Sequence, residues 1–402
     1  MAEKLRFGII GAGGRGIQAF ARNIEKRDDA EVAALMDTNM ERMKRYSKNI
    51  ESNPVCYTDI DKMFEEANLD AVVITTPDYL HAEHSVKAIK HGAHVLVDKP
   101  LATTVEDCRE IIDAAENFDK VAMIGFNLRH DPVLVKLKQI IEAGTLGKIF
   151  LIENREFYDG GRTYMARWNR FYDKSGGLWI HKGSHDFDVF NWLLDFPTPT
   201  KVSAFAGIDV LKPEGIPFEL EDGIEPGPTC RNCHYSKKCA DYSDWSETAN
   251  DPWGEEAAME DGYHKDTCMY MSEKDTHDNG IAIVEYEDGV KASHLECFVT
   301  SLTDRLYTVV GDKGQAEVSL HNRTITIRPR WTQDVIKHEI AEVKGGHGGA
   351  DPKLVETFVK CVKGEIDNTS TSEHGLVSTA IGQAAEISRR ENRMVDMKEL
   401  LG

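Results

Sequence analysis

Residues 5–16 read LRFGIIGAGGRG, an apolar run that passes directly into a glycine-rich turn. Gly11, Gly13 and Gly16 match G-x-G-x-x-G, a spacing that belongs between a strand and a helix. Each glycine has its own physical task at such a junction. Gly11 permits the tight turn, Gly13 with Gly14 and Arg15 brings backbone amides close to a pyrophosphate, and Gly16 allows the next helix to pack closely on the strand. The glycines alone are weak evidence, but a second half is present. The next strand-like run, EVAALMD at 31–37, ends in Asp37, about 20 residues beyond Gly16, where a carboxylate accepts from the ribose hydroxyls of adenosine. Strand, turn, helix and acid together predict a dinucleotide site. Asp37 favours NAD because it would repel the 2′-phosphate of NADP, whereas Arg15 and Arg42 nearby argue the other way.

Outward from this motif, the first third alternates short apolar runs (LRFGII, EVAALM, AVVIT, HVLV, VAMIG) with amphipathic stretches such as DYLHAEHSVKAIKHG and TVEDCREIIDAAENF. Strands alternating with helices at this spacing predict an α/β domain with a doubly wound parallel sheet. TTPDYLHAEH follows the fourth predicted strand and Asp98-Lys99-Pro100 the fifth. Ligands bind at the carboxyl ends of such strands, which makes Thr76, Pro77, His81, Asp98 and Lys99 candidates for the cofactor site.

At 402 residues the chain is long for one core, so two domains are expected, 1–128 and 129–402. A net charge of −20 without a basic run argues against nucleic acid as a partner. No apolar stretch approaches bilayer length, and the first residues do not read as a signal peptide. A cytoplasmic protein is expected.

In the middle of the chain, SGGLWIHKGSHDFD at 175–188 sets His181 and His185 four residues apart with Lys182 between them. Three readings stand open: a substrate contact or proton relay, a metal pair on one helix face, or a structural histidine. Lys182 reads equally as substrate-facing or solvent-facing.

The chain resembles the glucose-fructose oxidoreductase, inositol dehydrogenase and rhizopine-catabolism family, Gfo/Idh/MocA. The resemblance rests on GIIGAGGRG, TTPDYLHAE, DKPLA, GFNLRHDP with GTLGKI, RWNRFYDKSGG, HKGSHDFD and a late HGLVSTAIGQAAEISRR, spread over nearly the whole chain. It implies a Rossmann domain followed by a domain built on a large, mostly antiparallel sheet, whose open face commonly forms a dimer or tetramer interface. Strand-like runs such as KIFLIENREFY, GIAIVEYEDG, KASHLECFV, RLYTVVGDKG and TITIRP agree with it. It also implies hydride transfer between nicotinamide and a secondary alcohol of a sugar or cyclitol. Lys99 matches the family lysine that binds and polarises the reacting hydroxyl, and His185 matches the histidine that acts as acid or base. Most relatives carry Asp where this chain has His181, which leaves the division of labour among Lys99, His181 and His185 open.

Other residues are expected around the same cleft. Asn127 is read as a cofactor contact; Arg129, Tyr158, Trp168 and Arg170 are read as substrate contacts, since aromatic faces pack on sugar C–H groups and Arg bonds hydroxyls. Trp168 reads equally as core. GGHGGAD at 345–351 is either a loop returning His347 to the site or a connector. Between about 209 and 279 lies an acidic, poorly cored insertion containing Cys230, Cys233, Cys239 and Cys268, which either clamp a structural zinc or an iron–sulfur cluster or remain free thiols. The reading that fits all of this is an NAD-dependent dehydrogenase acting on a sugar, a glycoside (its 3-hydroxyl included) or an inositol. Its rivals are an NAD-retaining glycosidase acting by oxidation and elimination, and a non-catalytic NAD or sugar sensor.

Overall fold

The computed structural model describes residues 4–243 and 254–402. β1 (Leu5–Ile10), β2 (Ala30–Met36), β3 (Val55–Tyr57), β4 (Ala71–Ile74), β5 (His94–Asp98) and β6 (Ala122–Gly125) form one sheet in the order β3-β2-β1-β4-β5-β6. Every neighbouring pair in it is parallel. The order reverses between β1 and β4, which opens a crevice at the carboxyl ends of the strands. The central strands lack polar alternation because both faces are covered: in β4, Ala71 and Val73 enter one core while Val72 and Ile74 enter the other. The expected doubly wound domain is therefore present.

The second sheet contains β7 (Ile149–Phe157), β8 (Pro199–Gly207), β9 (Asn279–Tyr286), β10 (Lys291–Cys297), β11 (Asp304–Gly311), β12 (Gly314–Ser319), β13 (Thr324–Pro329), β14 (Ile336–Glu339) and β15 (Val395–Asp396). Its order is β14-β13-β12-β11-β7-β10-β9-β8-β15, antiparallel except between β7 and β10. One face carries Ile152, Val202, Ala282, Val284 and Val309 into a core shared with Phe187, Phe190, Ile381 and Ala385 of the helices Ser184–Leu193 and Ser372–Glu391. The other face is open and shows Phe205, Ile281 and Ile283 to solvent. This is the large, mostly antiparallel sheet expected. Among the described residues no helix is long and apolar enough to cross a membrane.

The two cores do not divide where the chain does. The helix Ala350–Val362, far along the sequence, buries Leu354, Val355, Phe358 and Val359 against Phe7, Phe20 and Met43 of the parallel domain. Phe7 and Phe358 meet edge to face at 6.0 Å. Arg129 joins the halves a second time, and here a sequence expectation is corrected. Instead of reaching substrate, its guanidinium is buried, bonds both oxygens of Asp188 at 2.9 and 2.5 Å and Thr369 O at 2.8 Å, and lies between the rings of Phe126 and Phe196. A carboxylate, a carbonyl and two rings thus hold the guanidinium inside the protein. Deleting one partner of a buried pair strands the other charge. Asp188→Ala is therefore expected to destabilise the chain by about 3–5 kcal/mol, measured by urea unfolding.

Candidate active site

The crevice is built from the carboxyl ends of β1, β2, β4, β5 and β6. Gly11 has φ +93°, and a Cβ there would lie 2.5 Å from Thr76 N; a Cβ on Gly16 would lie 2.4 Å from Gly11 O. Only glycine lets this loop fold so tightly between β1 and β4. At the end of β2, Asp37 accepts from the Asn39 amide at 3.0 Å and from that of Ala12, which places a carboxylate beside the glycine loop. Burial raises the pKa of Asp37, opposed by these amides and by Arg42. Loop, helix start and ribose acceptor fit a bound dinucleotide. The two arginines that favoured NADP are both claimed by carboxylates. Arg15 makes a two-pronged pair with Asp98 (2.8 and 2.9 Å) and a third bond to Asp351 (2.9 Å), while Arg42 meets Asp261 at 2.6 Å and Asp37 at 3.8 Å. Burial opposes the Arg15 charge, but Asp98 and Asp351 outweigh it and hold it protonated.

That cluster reassigns several expected cofactor contacts. Arg15 and Asp98 neutralise each other, and Asn127 donates to Asp351 at 2.8 Å with its Oδ1 left unpartnered. His81 is buried, and its two ring nitrogens lie 3.0 and 2.7 Å from the carbonyls of Thr76 and Pro100. It ties the loop after β4 to the loop after β5 and has no nitrogen left for a cofactor. Thr76 keeps its hydroxyl 3.2 Å from His84 Nδ1, and Pro77 precedes the turn Asp78–Leu80.

Lys99 follows β5 and is half-buried, with its ammonium donating to the carbonyl of His181 at 2.5 Å. Burial lowers its pKa to about 8, opposed by Asp78 and Asp98. His181 ends the short helix Leu178–His181, and the break at Lys182-Gly183 separates it from His185 in the helix Ser184–Leu193. The two histidines therefore do not share one continuous helix face. The Nδ1 of His181 donates to Asp78 at 2.6 Å and its Nε2 accepts from Asn169 at 3.1 Å. Both ring nitrogens are engaged, which leaves no lone pair for a metal. An Asp–His pair thus exists here, but its carboxylate comes from the parallel domain. Burial lowers the pKa of His181, against the pull of Asp78. His185 is buried with no partner on Nδ1; burial, then the charges of Lys99, Arg305, Lys182 and His347, push its pKa well below the ordinary value. Its ring is therefore neutral at physiological pH.

Around these groups, the half-buried Trp168 stands edge to face with His181 at 5.3 Å, and Tyr164 does so at 5.8 Å. Lys182 is neither solvent-facing nor free: it bonds Glu156 at 2.8 Å beneath the Tyr158 ring, and despite burial this carboxylate raises its pKa. Arg305 lies between Glu156 (2.5 Å) and Asp186 (2.9 Å), completing a buried ionic floor. Arg170 bonds the carbonyls of Glu273 and Arg167 and stacks on Phe171, so it anchors the end of the insertion. The Gly345–Asp351 loop does return to the site, where His347 bonds Asp351 at 2.8 Å. Asp78, Asn169, Asp351 and Glu156 escaped the sequence reading. For Asp78 a signal existed, a carboxylate at the carboxyl end of β4; the other three are brought in by distant segments.

The expected metal cluster is not assembled. Among the described residues no three His, Cys, Asp or Glu side chains group as metal ligands. Cys230, Cys239 and Cys268 line one small cavity with Arg162, Asp241 and Tyr270. The segment takes its order from other contacts: Arg231 forks onto Asp266 at 2.9 and 2.5 Å, Tyr270 bonds Asp241 at 2.6 Å, and Asp278 accepts the amides of residues 209–211.

Two family models cover this arrangement, an oxidoreductase NAD-binding Rossmann fold over residues 5–126 and the C-terminal α/β domain of the same family over 138–397. The chain belongs to the Gfo/Idh/MocA oxidoreductases. It is 27% identical to "Putative oxidoreductase YteT" of Bacillus subtilis (strain 168) over 98% of this chain and 97% of that one. It is 30% identical to the D-glucoside 3-dehydrogenase of Escherichia coli (strain K12) over 50% of this chain and 58% of that enzyme. In fold it is similar to the WlbA dehydrogenase of Bordetella pertussis, a structure in complex with NADH and UDP-GlcNAcA, with a TM-score of 0.70, 20% identity, and 98% and 99% of the two chains covered.

Because Asp78 raises the pKa of Lys99 while burial depresses it, Lys99 is expected to titrate near pH 8. Asp78→Asn should move that midpoint lower still, and NMR of isotopically labelled lysine checks both.

Proposed function

We propose that the chain transfers hydride between NAD and a secondary hydroxyl of a sugar, a glycoside (at its 3-hydroxyl) or an inositol. One observation carries this reading: a half-buried lysine of lowered pKa, an Asp-held histidine and a neutral buried histidine gather at the carboxyl ends of the strands beside a dinucleotide loop. The relative named D-glucoside 3-dehydrogenase and the similar structure holding NADH and a nucleotide sugar support it.

The residues divide the work by their charge states. At neutral pH Lys99 is mostly an ammonium ion, a donor that binds the reacting hydroxyl and favours the alkoxide as it forms. His185, kept neutral by burial, takes the proton. His181 is a positioning residue, since Asp78 fixes its ring and its carbonyl holds the Lys99 ammonium. Trp168 offers an aromatic face to sugar C–H groups. NAD, when bound, supplies the hydride acceptor.

The test is NADH absorbance when the purified chain meets NAD and a panel of inositols, free sugars and glycosides. Reduction with one class is expected. Lys99→Ala should lower kcat/KM about 10²–10⁴-fold. Oxidation should decline as pH rises through about 8, where Lys99 loses its proton, and this limb should vanish in Lys99→Arg. Bound NAD with no reduction of any class, but with aglycone released from glycosides, would instead support the redox-neutral glycosidase.

We further propose that the open sheet face pairs two copies of the chain. Phe205, 72% exposed and paired in register with Ile281, lies beside Ile283, and such a contiguous apolar patch favours burial. Light scattering on the native chain should give a dimer or tetramer, and Phe205→Asp with Ile283→Asp should give monomers.

A further inference from the structure

The insertion between β8 and β9 contains one helix, Glu255–Asp261, and this helix lies against the adenosine end of the parallel domain, more than 200 residues earlier in sequence. Its seat is the helix Met40–Ser47, which follows β2 and Asp37. The contacts are specific. Both oxygens of Glu260 accept backbone amides from the first turn, Met40 N at 2.9 Å and Glu41 N at 3.0 Å. Asp261 accepts from Arg42 at 2.6 Å and from Asn39 Nδ2 at 2.9 Å, and Asn39 also donates to the carbonyl of Ala257 at 2.7 Å. Arg45 pairs with Glu256 one turn further on. Ala257 and Ala258 are fully covered in this interface, and just beyond it the ring of Tyr263 lies under the Arg42 guanidinium at 5.9 Å.

These are the groups that an extra phosphate would need. A 2′-phosphate on the adenosine ribose is held by an arginine near the end of the second strand and by free amides at a helix start, because both complement its charge. Here the arginine is shared between Asp261 and Asp37, and the amides are capped by Glu260. A phosphate arriving there would face three carboxylates. The ribose diol of NAD needs only Asp37, which the helix leaves beside the glycine loop.

We propose that the helix Glu255–Asp261 is the cofactor-specificity element of this chain: Glu260 and Asp261 occupy the 2′-phosphate position and so select NAD, while the same contacts close the adenosine end and slow NAD release. This rests on the dinucleotide reading of the Rossmann domain and adds a task for the insertion. The insertion thereby acts on the cofactor, at the opposite end of the dinucleotide from Lys99 and His185.

The experiment uses the full chain and binding alone. Dissociation constants for NAD and NADP are measured by calorimetry, and NADH release by stopped-flow fluorescence on displacement with excess NAD. The wild type is expected to bind NAD at least about 100-fold more tightly than NADP; the double variant Glu260→Gln with Asp261→Asn should lose about tenfold or more of that ratio and release NADH several-fold faster. Glu255→Gln, an exposed position on the same helix, should change neither quantity. Equal affinity of the wild type for the two dinucleotides would overturn the proposal whether or not the variants fold. So would an unchanged ratio and an unchanged release rate in a folded double variant. A wild type that binds neither dinucleotide would instead remove the cofactor reading itself.

Discussion

The Arg15 guanidinium bonds Asp98 from the end of β5 and Asp351 from the start of a helix more than 300 residues away. Three segments with separate covalent neighbours thus share one half-buried charge, and Asn127 and His347 join through Asp351. The cluster depends on its arginine, because without Arg15 the buried carboxylates of Asp98 and Asp351 would lose their shared counter-charge. It fixes the crevice in which the glycine loop, Lys99 and the returning loop meet, and the geometry of the site depends on it.

Electrostatics inside the crevice follow from the same burial. Lys99, His181 and His185 all lose proton affinity because water is excluded, and each is then adjusted by its neighbours. Asp78 and Asp98 restrain the fall for Lys99, leaving it close to physiological pH, whereas the charges that act most strongly on His185, those of Lys99, Arg305, Lys182 and His347, add to the effect of burial and it stays neutral. Opposite protonation states side by side are what general acid–base work on a hydroxyl requires. Below them, Glu156, Asp186, Arg305 and Lys182 compensate one another. The site therefore stands on a floor of paired opposite charges and not on an apolar one.

His181 is held by a carboxylate from the other domain. His181, at the end of the helix Leu178–His181, takes its carboxylate across the cleft from Asp78, while Nδ1 of His185 has no partner. The insertion shows a similar economy, since hydrogen bonds to Asp266 and Asp278 order it where four cysteines suggested a metal. Its helix also returns to the parallel domain, through contacts at sequence separations of about 220 that no local pattern announces.

Patterns of short range were legible in the chain. The glycine spacing, Asp37, the alternation of strands and helices, and the order of motifs around Lys99 and His185 determined a Rossmann domain, a second sheet and the family, because backbone geometry and hydrophobic period are local properties. What tertiary structure alone decided is which charges meet. Arg129 resembled a sugar contact until Asp188 and Thr369 claimed it; His81 resembled a cofactor contact until two carbonyls did; Arg42 resembled a phosphate ligand until Asp261 approached from the insertion. A side chain's donors are visible in the sequence, but their partners are not, since pairing depends on distances between segments that only the folded chain brings together.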